Sequence, residues 1–195
     1  MPVRVFYGEF RVEPALRPEH WAYLRQFSRS RRMRRDPVRT ADLSDPLRIA
    51  VGLPIGIDAG YYVGMDEYGG DLREPSIVDV NVPPGQPSMR EYLGDEPLDE
   101  DERLRRLRAY WDAQHKAWLS GEAQPDLWCQ WIPTDDGRAI VWDRGEKFER
   151  PDAWIEYLLR HFLVPWGYVL NGRVEWDGPD EDEYGVILVT DNELR

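Results

Sequence analysis

Trp128, Trp131 and Trp142 are the side chains in this sequence that are best suited to contact a ligand or a partner. They lie in two apolar runs, 127–132 and 138–143, and the Asp-Gly pair between these runs predicts a β-hairpin. Because side chains alternate across a strand, both faces of the hairpin carry a tryptophan. One indole is therefore either covered by a distant part of the chain or exposed, as a platform for an aromatic ligand or nucleobase or as a protein-docking surface.

Asp143, Glu146 and Lys147 follow the second strand of this hairpin, in the connection to the next predicted helix. Loops carry binding and catalytic residues more often than the elements they join. A carboxylate beside a lysine can position a phosphate group or act as an acid–base pair. It can equally be a surface ion pair of little energetic value. The segment is therefore a candidate site, either for binding or for a small enzyme.

Seven arginines lie between Arg25 and Arg39, in a chain whose formal net charge is −12. Guanidinium groups bind the phosphates of RNA and single-stranded DNA, and that binding weakens steeply with salt. The same groups can instead pair with the acidic segment 91–102 of the same chain. The sequence does not decide between nucleic-acid binding and internal ion pairing. The candidate binding residues of the run are Arg31, Arg32, Arg34 and Arg35.

Familiar catalytic patterns are missing from the sequence. The three histidines are far apart and have no zinc-ligand spacing, and Cys129 has no paired histidine, so that it reads as a small core residue. There is no glycine-rich phosphate loop and no nucleophile elbow. We therefore expect no catalytic residue, no metal site and no cofactor.

The single cysteine also rules out a disulfide within the chain and favours a reducing compartment. The N-terminal residues do not resemble a signal peptide, and no apolar stretch approaches the roughly 20 residues that cross a bilayer. These features predict a cytoplasmic protein without a membrane partner.

The predicted elements alternate between strands and helices in a way that indicates one fold. Apolar alternation and helical spacing give the order β-α-(insertion)-β-β-α-β-β. This order predicts an α+β protein with a ferredoxin-like βαββαβ antiparallel sheet, an extra C-terminal strand and a large insertion between the first helix and the second strand. We expect a single domain, 1–195, with a core formed by 1–40 and 125–195. The insertion, 41–124, contains a helix at about 99–120.

The hairpin segment also carries a resemblance. It reads Trp128-Cys129-Gln130-Trp131, then Pro133-Thr134, Asp136-Gly137, Ala139-Ile140, Trp142-Asp143 and Gly145-Glu146-Lys147-Phe148. In this it resembles a family of uncharacterised bacterial and prophage-type hypothetical proteins, over about half of the chain. The resemblance implies one continuous domain and a mobile-element context, and it implies no activity, cofactor or site residue.

These observations favour a non-catalytic binding or regulatory protein whose partner is another protein. Dense carboxylates on a folded scaffold would also suit an acidic mimic of nucleic acid, or an inhibitor of mobile-element type. The alternatives are RNA or single-strand binding through the arginine run and a small enzyme with its site near Glu146 and Lys147.

Overall fold

The computed structural model describes residues 4–41, 45–52, 75–145, 147–180 and 182–195. It shows a mixed α+β protein. The strands are β1 Val5–Glu13, β2 Arg34–Arg35, β3 Ile77–Asp79, β4 Trp131–Pro133, β5 Ala139–Trp142, β6 Val169–Asp177, β7 Tyr184–Thr190 and β8 Glu193–Leu194. The helices are α1 Pro18–Arg29, α2 Pro37–Ala41, α3 Pro46–Val51, α4 Met89–Leu93, α5 Glu100–Ser120 and α6 Pro151–Leu158, the last of which continues into a π-helical turn, Leu159–Leu163.

Six of the strands form one antiparallel sheet in the order β4-β5-β1-β6-β7-β8. Its longest pairing joins β1 to β6 over nine residues, from Val5 opposite Asp177 to Glu13 opposite Val169. β2 and β3 form a separate two-stranded sheet. The predicted α+β class with an antiparallel sheet is therefore confirmed.

Two glycines allow β1 and β6 to approach each other closely. Gly8 has φ +109°, and a Cβ there would lie 2.4 Å from the backbone oxygen of Arg173. A Cβ on Gly172 would lie 2.3 Å from the oxygen of Glu9. Any larger residue at these positions would push the two central strands apart.

The core lies on the face of the sheet that α1 and α6 cover. α1 contributes Tyr23, Leu24 and Phe27, whose spacing puts them on one helical face, and all three are buried. Phe27 and Trp154 of α6 meet edge to face at 5.9 Å. Burial of these aromatic side chains supplies a large share of the hydrophobic free energy of folding.

The second hairpin strand is predicted correctly, but the first is shorter than expected. β4 begins at Trp131, whereas the prediction begins at residue 127. Leu127 instead accepts a backbone hydrogen bond from Arg32, at 2.7 Å, outside the main sheet. At Leu127, a hydrogen bond from a residue distant in sequence therefore takes the place of pairing with the second hairpin strand.

The long helix expected at 99–120 is present as α5. Asp99 caps it, since its side chain accepts from the backbone N–H of Glu102. Of its 21 residues, only Gln114 is buried. α5 packs mainly against α4, where Tyr92 and Tyr110 meet edge to face at 5.8 Å. Most of its surface therefore faces solvent.

Both ends of the excursion that carries α4 and α5 are tied together. The side-chain nitrogen of Gln86 donates to the backbone oxygens of Gln124, at 2.5 Å, and Pro125, at 3.0 Å. The backbone N–H of Gln124 donates to the oxygen of Pro84 at 2.9 Å. Gln114 then donates to the side-chain oxygen of Gln86 at 2.8 Å, which holds α5 against this junction.

None of the described helices combines the length and the apolar character that a bilayer crossing requires.

Candidate functional site

A groove of about 670 Å³ lies between α1 and the hairpin. Its apolar wall is formed by Trp128, Ile132 and Val141, and its polar wall includes Arg25, Ser28, Arg29, Asp135 and Asp143. Ser28 fixes the two sides together, because its hydroxyl donates to the backbone oxygen of Trp131. The fold thus brings together two of the predicted site residues, Trp128 and Asp143.

Charges in this groove come from both walls. Arg25 donates to Asp135 at 3.1 Å and stacks over the ring of Trp21 at 5.0 Å. Arg29 is exposed, and its positive charge acts on the carboxyl group of Asp143. The groove therefore presents an apolar surface with charges of both signs at its rim, which is typical of a surface that contacts a protein.

Asp143 lies at the end of β5, where the surrounding protein removes part of its water. This desolvation raises the pKa of Asp143 above its usual value. The N–H of Gly145 donates to its Oδ1 at 2.7 Å and partly opposes the shift, as does Arg29. A carboxylate held in this way can accept a hydrogen bond from a bound group, although the groove lining includes no histidine or cysteine that could work with it.

The indole N–H groups of Trp131 and Trp142 both donate hydrogen bonds within the protein. Trp131 is buried, and its indole N–H donates to the oxygen of Pro151 at 2.8 Å. Trp142 is partly buried against Phe6, and its indole donates to the side chain of Gln130 at 3.0 Å. Of the three hairpin tryptophans, Trp128 is the one that lines the groove.

Lys147 is exposed in the connection between β5 and α6, and Glu146 lies outside the described residues. Arg144, Lys147 and Arg150 all have positive φ, which is uncommon for residues other than glycine. Between them Phe148 is buried against Trp131, at a ring distance of 5.2 Å. The unusual backbone therefore serves to insert Phe148 into the core and to start α6.

Arg32 and Arg35, in the middle of the arginine run, are buried. Arg32 donates from Nε to Oε1 of Gln124 at 3.0 Å, and its guanidinium lies 4.3 Å from the ring centre of Phe27. Burial lowers the pKa of Arg32 to about 10. Arg35 donates to the hydroxyl of Ser76 at 2.8 Å. Both side chains thus hold the β2–β3 region and the end of the excursion to the core.

Arg31 and Arg34 are partly exposed, and both also make contacts within the chain. Arg31 donates to the backbone oxygen of Val80 at 3.0 Å. Arg34 forms an ion pair of 2.7 Å with Glu91, at the start of the acidic segment. The arginine run therefore makes internal contacts along much of its length, one of them with the acidic segment as the sequence suggested.

α5 exposes large apolar side chains at regular intervals. Leu104, Trp111 and Trp118 are spaced seven residues apart and therefore lie along one line of the helix. Their exposed fractions are 47%, 55% and 40%. We call these three residues the α5 stripe. The exposure of these three side chains shows that no described residue covers the α5 stripe fully.

Cys129 and His20 occupy structural positions in the core. The thiol of Cys129 is fully buried, and burial raises its pKa to about 12. His20 is buried and stacks on Trp166 at 4.0 Å, while its Nδ1 lies 2.8 Å from the hydroxyl of Tyr168. Among the described residues, no three histidine, cysteine, aspartate or glutamate side chains form a group that could hold a metal ion.

No protein-family model, no curated protein and no solved structure matches this chain.

Proposed function

We propose that this chain is a non-catalytic binding or regulatory protein that acts through protein–protein contact, with the α5 stripe as its main contact. The observation that carries the proposal is the exposure of Leu104, Trp111 and Trp118 along a helix with a single buried residue. Large aromatic side chains supply much of the binding energy in protein interfaces. Isolated apolar residues are normal on a protein surface, but a line of three on one helix is typical of helix-in-groove recognition.

The charge near the start of α5 supports the same proposal. Asp95, Asp99, Glu100 and Asp101 are exposed at or just before the first turn of α5. An acidic end beside an apolar stripe suits a partner that has an apolar groove with basic residues at one end. The proposed partner is therefore a protein with that combination of surfaces.

A finer form of this proposal is an acidic mimic of nucleic acid, of the mobile-element type that the hairpin resemblance implies. The net charge of −12 and the exposed acidic residues before α5 support it. Mimicry of this kind would place the chain in the nucleic-acid groove of its partner.

We also propose that the core follows the ferredoxin-like plan. The order β4-β5-β1-β6 with all neighbours antiparallel, and α1 and α6 on one face, support this assignment. β7 and β8 would then extend the sheet at its edge.

A site-directed photocrosslinking experiment tests the protein-contact proposal. A photoreactive amino acid replaces Trp111 in one variant and Asp112 in the control, because Asp112 is exposed on the same helix but outside the stripe. In lysate of the native host treated with nuclease, we expect position 111 to give one discrete crosslinked protein and position 112 to give none.

Affinity for the purified partner then provides the quantitative test. Replacing both Leu104 and Trp111 with alanine should weaken binding by about 30-fold or more, as expected for buried interface anchors. The control variant Asp112→Ala with Lys116→Ala should change affinity by no more than about twofold. Equal effects of the two double variants, or co-purification of nucleic acid in place of a protein, would contradict the proposal.

A further inference from the structure

A second cavity, smaller and more enclosed than the groove, lies where the end of α5 meets α6. Its volume is about 110 Å³. At roughly 30 Å³ for a water in the liquid, this corresponds to about three or four waters, which is room for a small polar group. Residues that line it include Trp118, Gly121, Arg150, Glu156 and Arg160.

Two arginines share this cavity, and no described carboxylate forms an ion pair with either of them. Each ion pair found among the described residues is formed by an arginine other than Arg150 or Arg160. Asp126 is close enough for Arg150 to lower its pKa, although burial outweighs this and raises that pKa overall. Two unpaired guanidinium groups at one cavity are unexpected in a chain with a net charge of −12.

Arg150 has a buried donor without an acceptor. Its Nη1 is inaccessible to solvent, and no described residue accepts a hydrogen bond from it. Its guanidinium lies 4.3 Å from the ring centre of Trp118, a cation–π contact that holds the group beside the cavity. Because Nη1 is closed to solvent in this conformation, a ligand oxygen in the cavity reaches it only when the Arg150 side chain shifts, and that contact would remove the cost of a buried, unpaired donor.

Arg160 reaches the same cavity because residue 121 is a glycine. A Cβ on Gly121 would lie 1.7 Å from Nη1 of Arg160, so any side chain there would displace the guanidinium. Gly121 also ends α5 with φ +68°, and its backbone oxygen lies 2.8 Å from Nε2 of His161. The end of α5 is therefore held in place directly beside Arg160.

The sign and size of the lining charges select the ligand class. Two guanidinium groups favour an oxyanion, because they present paired N–H donors to its oxygens. Glu156 in the same wall would repel a phosphate dianion more strongly than a singly charged carboxylate. A carboxylate fits both the charge and the small volume.

We propose that the cavity between Trp118, Arg150 and Arg160 is a binding site for a carboxylate group. The group belongs either to a small free acid or to the C-terminus of a polypeptide, and both present the same two oxygens. This proposal goes beyond the function proposed for the α5 stripe. The two surfaces share Trp118, whereas Arg150 and Arg160 belong to the cavity alone.

Titration of the full-length protein with sodium acetate, followed by NMR, tests the proposal at constant ionic strength. The probes are the indole N–H of Trp118, assigned by its loss in Trp118→Phe, and the backbone N–H of Gly121. We expect both signals to shift saturably with acetate and to shift less with inorganic phosphate. A linear, unsaturated shift, or an equal shift with sodium chloride, would overturn the proposal.

Two arginine variants and one control connect the signal to the cavity. Arg150→Gln and Arg160→Gln should each weaken acetate binding by about tenfold or more, since each removes a charge-assisted hydrogen bond. Arg160 is exposed, so its variant keeps the test valid if Arg150→Gln fails to fold. The exposed Arg103→Gln should bind as the unmodified chain does, and undiminished binding in both cavity variants would refute the site.

The source of the carboxylate follows from a comparison of two probes. An N-acetylated tripeptide with a free C-terminus is titrated beside the same peptide with a C-terminal amide. Tighter binding of the free peptide than of acetate supports the site and identifies a polypeptide terminus. Equal affinity of the free peptide and acetate supports the site for small acids, whereas equal binding of the amide would overturn a carboxylate site.

Discussion

Nε of Arg32 lies 3.0 Å from Oε1 of Gln124, and this hydrogen bond joins the arginine run to the far end of the α4–α5 excursion. The guanidinium is buried and stacked on Phe27, and burial lowers its pKa to about 10. An arginine in this setting serves the stability of the fold.

We therefore expect Arg32→Ala to lower the free energy of unfolding by about 2–4 kcal/mol, because it leaves a cavity and removes the buried hydrogen bond to Oε1 of Gln124. Arg39→Ala, at the exposed end of the same run, should cost less than about 1 kcal/mol. Urea unfolding followed by fluorescence measures both. Equal costs would show that Arg32 is not part of the core.

RNA binding through the run depends on Arg31 and Arg34, the two candidate residues that remain partly exposed. Since both make contacts within the chain, we expect no saturable binding of a labelled single-stranded RNA at about 0.15 M salt. Fluorescence anisotropy is the measurement. Binding that disappears in the variant Arg31→Ala with Arg34→Ala would instead establish the nucleic-acid alternative.

The thiol of Cys129 should not react in the folded protein. Its pKa is raised to about 12, so the thiolate is scarce at pH 8, and the side chain is fully buried. Ellman's reagent should modify less than about a tenth of the thiol within an hour, and all of it in concentrated urea. Rapid modification without denaturant would show that the hairpin opens or that a nearby base activates the sulfur.

Gly172→Ala should separate the two central strands. The new Cβ would lie 2.3 Å from the oxygen of Glu9 and 2.8 Å from the Cα of Phe10, both of them backbone atoms. We expect a loss of about 1–3 kcal/mol in thermal or urea unfolding, as for other overpacked sites. Gly52→Ala is the control, since it has open space around it and should cost only about 1 kcal/mol for its left-handed conformation.

Local sequence signals predicted the elements whose structure depends on local interactions. α5 has an aspartate cap, sustained helical spacing and a glycine at its end, and it forms within one residue of the predicted start. β5 forms within the predicted run 138–143, because its residues pair with β4 across the Asp-Gly turn. The class of the fold follows from such elements.

Features that depend on distant contacts were not visible in the sequence. β4 is shorter than predicted because Leu127 pairs with Arg32, which is 95 residues away.

α4 is a different case, because the sequence does carry a local signal for it. Ser88 and Glu91 form a capping box at its start, which the sequence-based prediction overlooks.

The candidate site was predicted in part for the same reason. Trp128 and Asp143 were predicted from the hairpin, and the structure adds Arg25 and Arg29 from α1 to the same groove. In the cavity, Trp118 comes from the last turn of α5, Arg150 directly precedes α6, and Arg160 lies in the π-helical turn that follows α6. No local pattern marks such a meeting, because each residue alone is an ordinary surface side chain.

The hydrogen bonds that tie Gln86 to Gln124 and Pro125 have a consequence for how this chain can vary. Residues 87–123 leave the body of the protein and return to it at this junction, and their other contacts with the body are made by Glu91 with Arg34 and by the end of α5 with Arg150 and His161. Because the two ends are joined, the length of the segment can change with little effect on the path of the chain elsewhere. A shortened chain, in which a brief turn links Gln86 to Gln124, should still assemble the six-stranded sheet. The part of the molecule that carries the exposed Trp111 and Trp118 is therefore also a part that can be exchanged or re-targeted while the scaffold is kept.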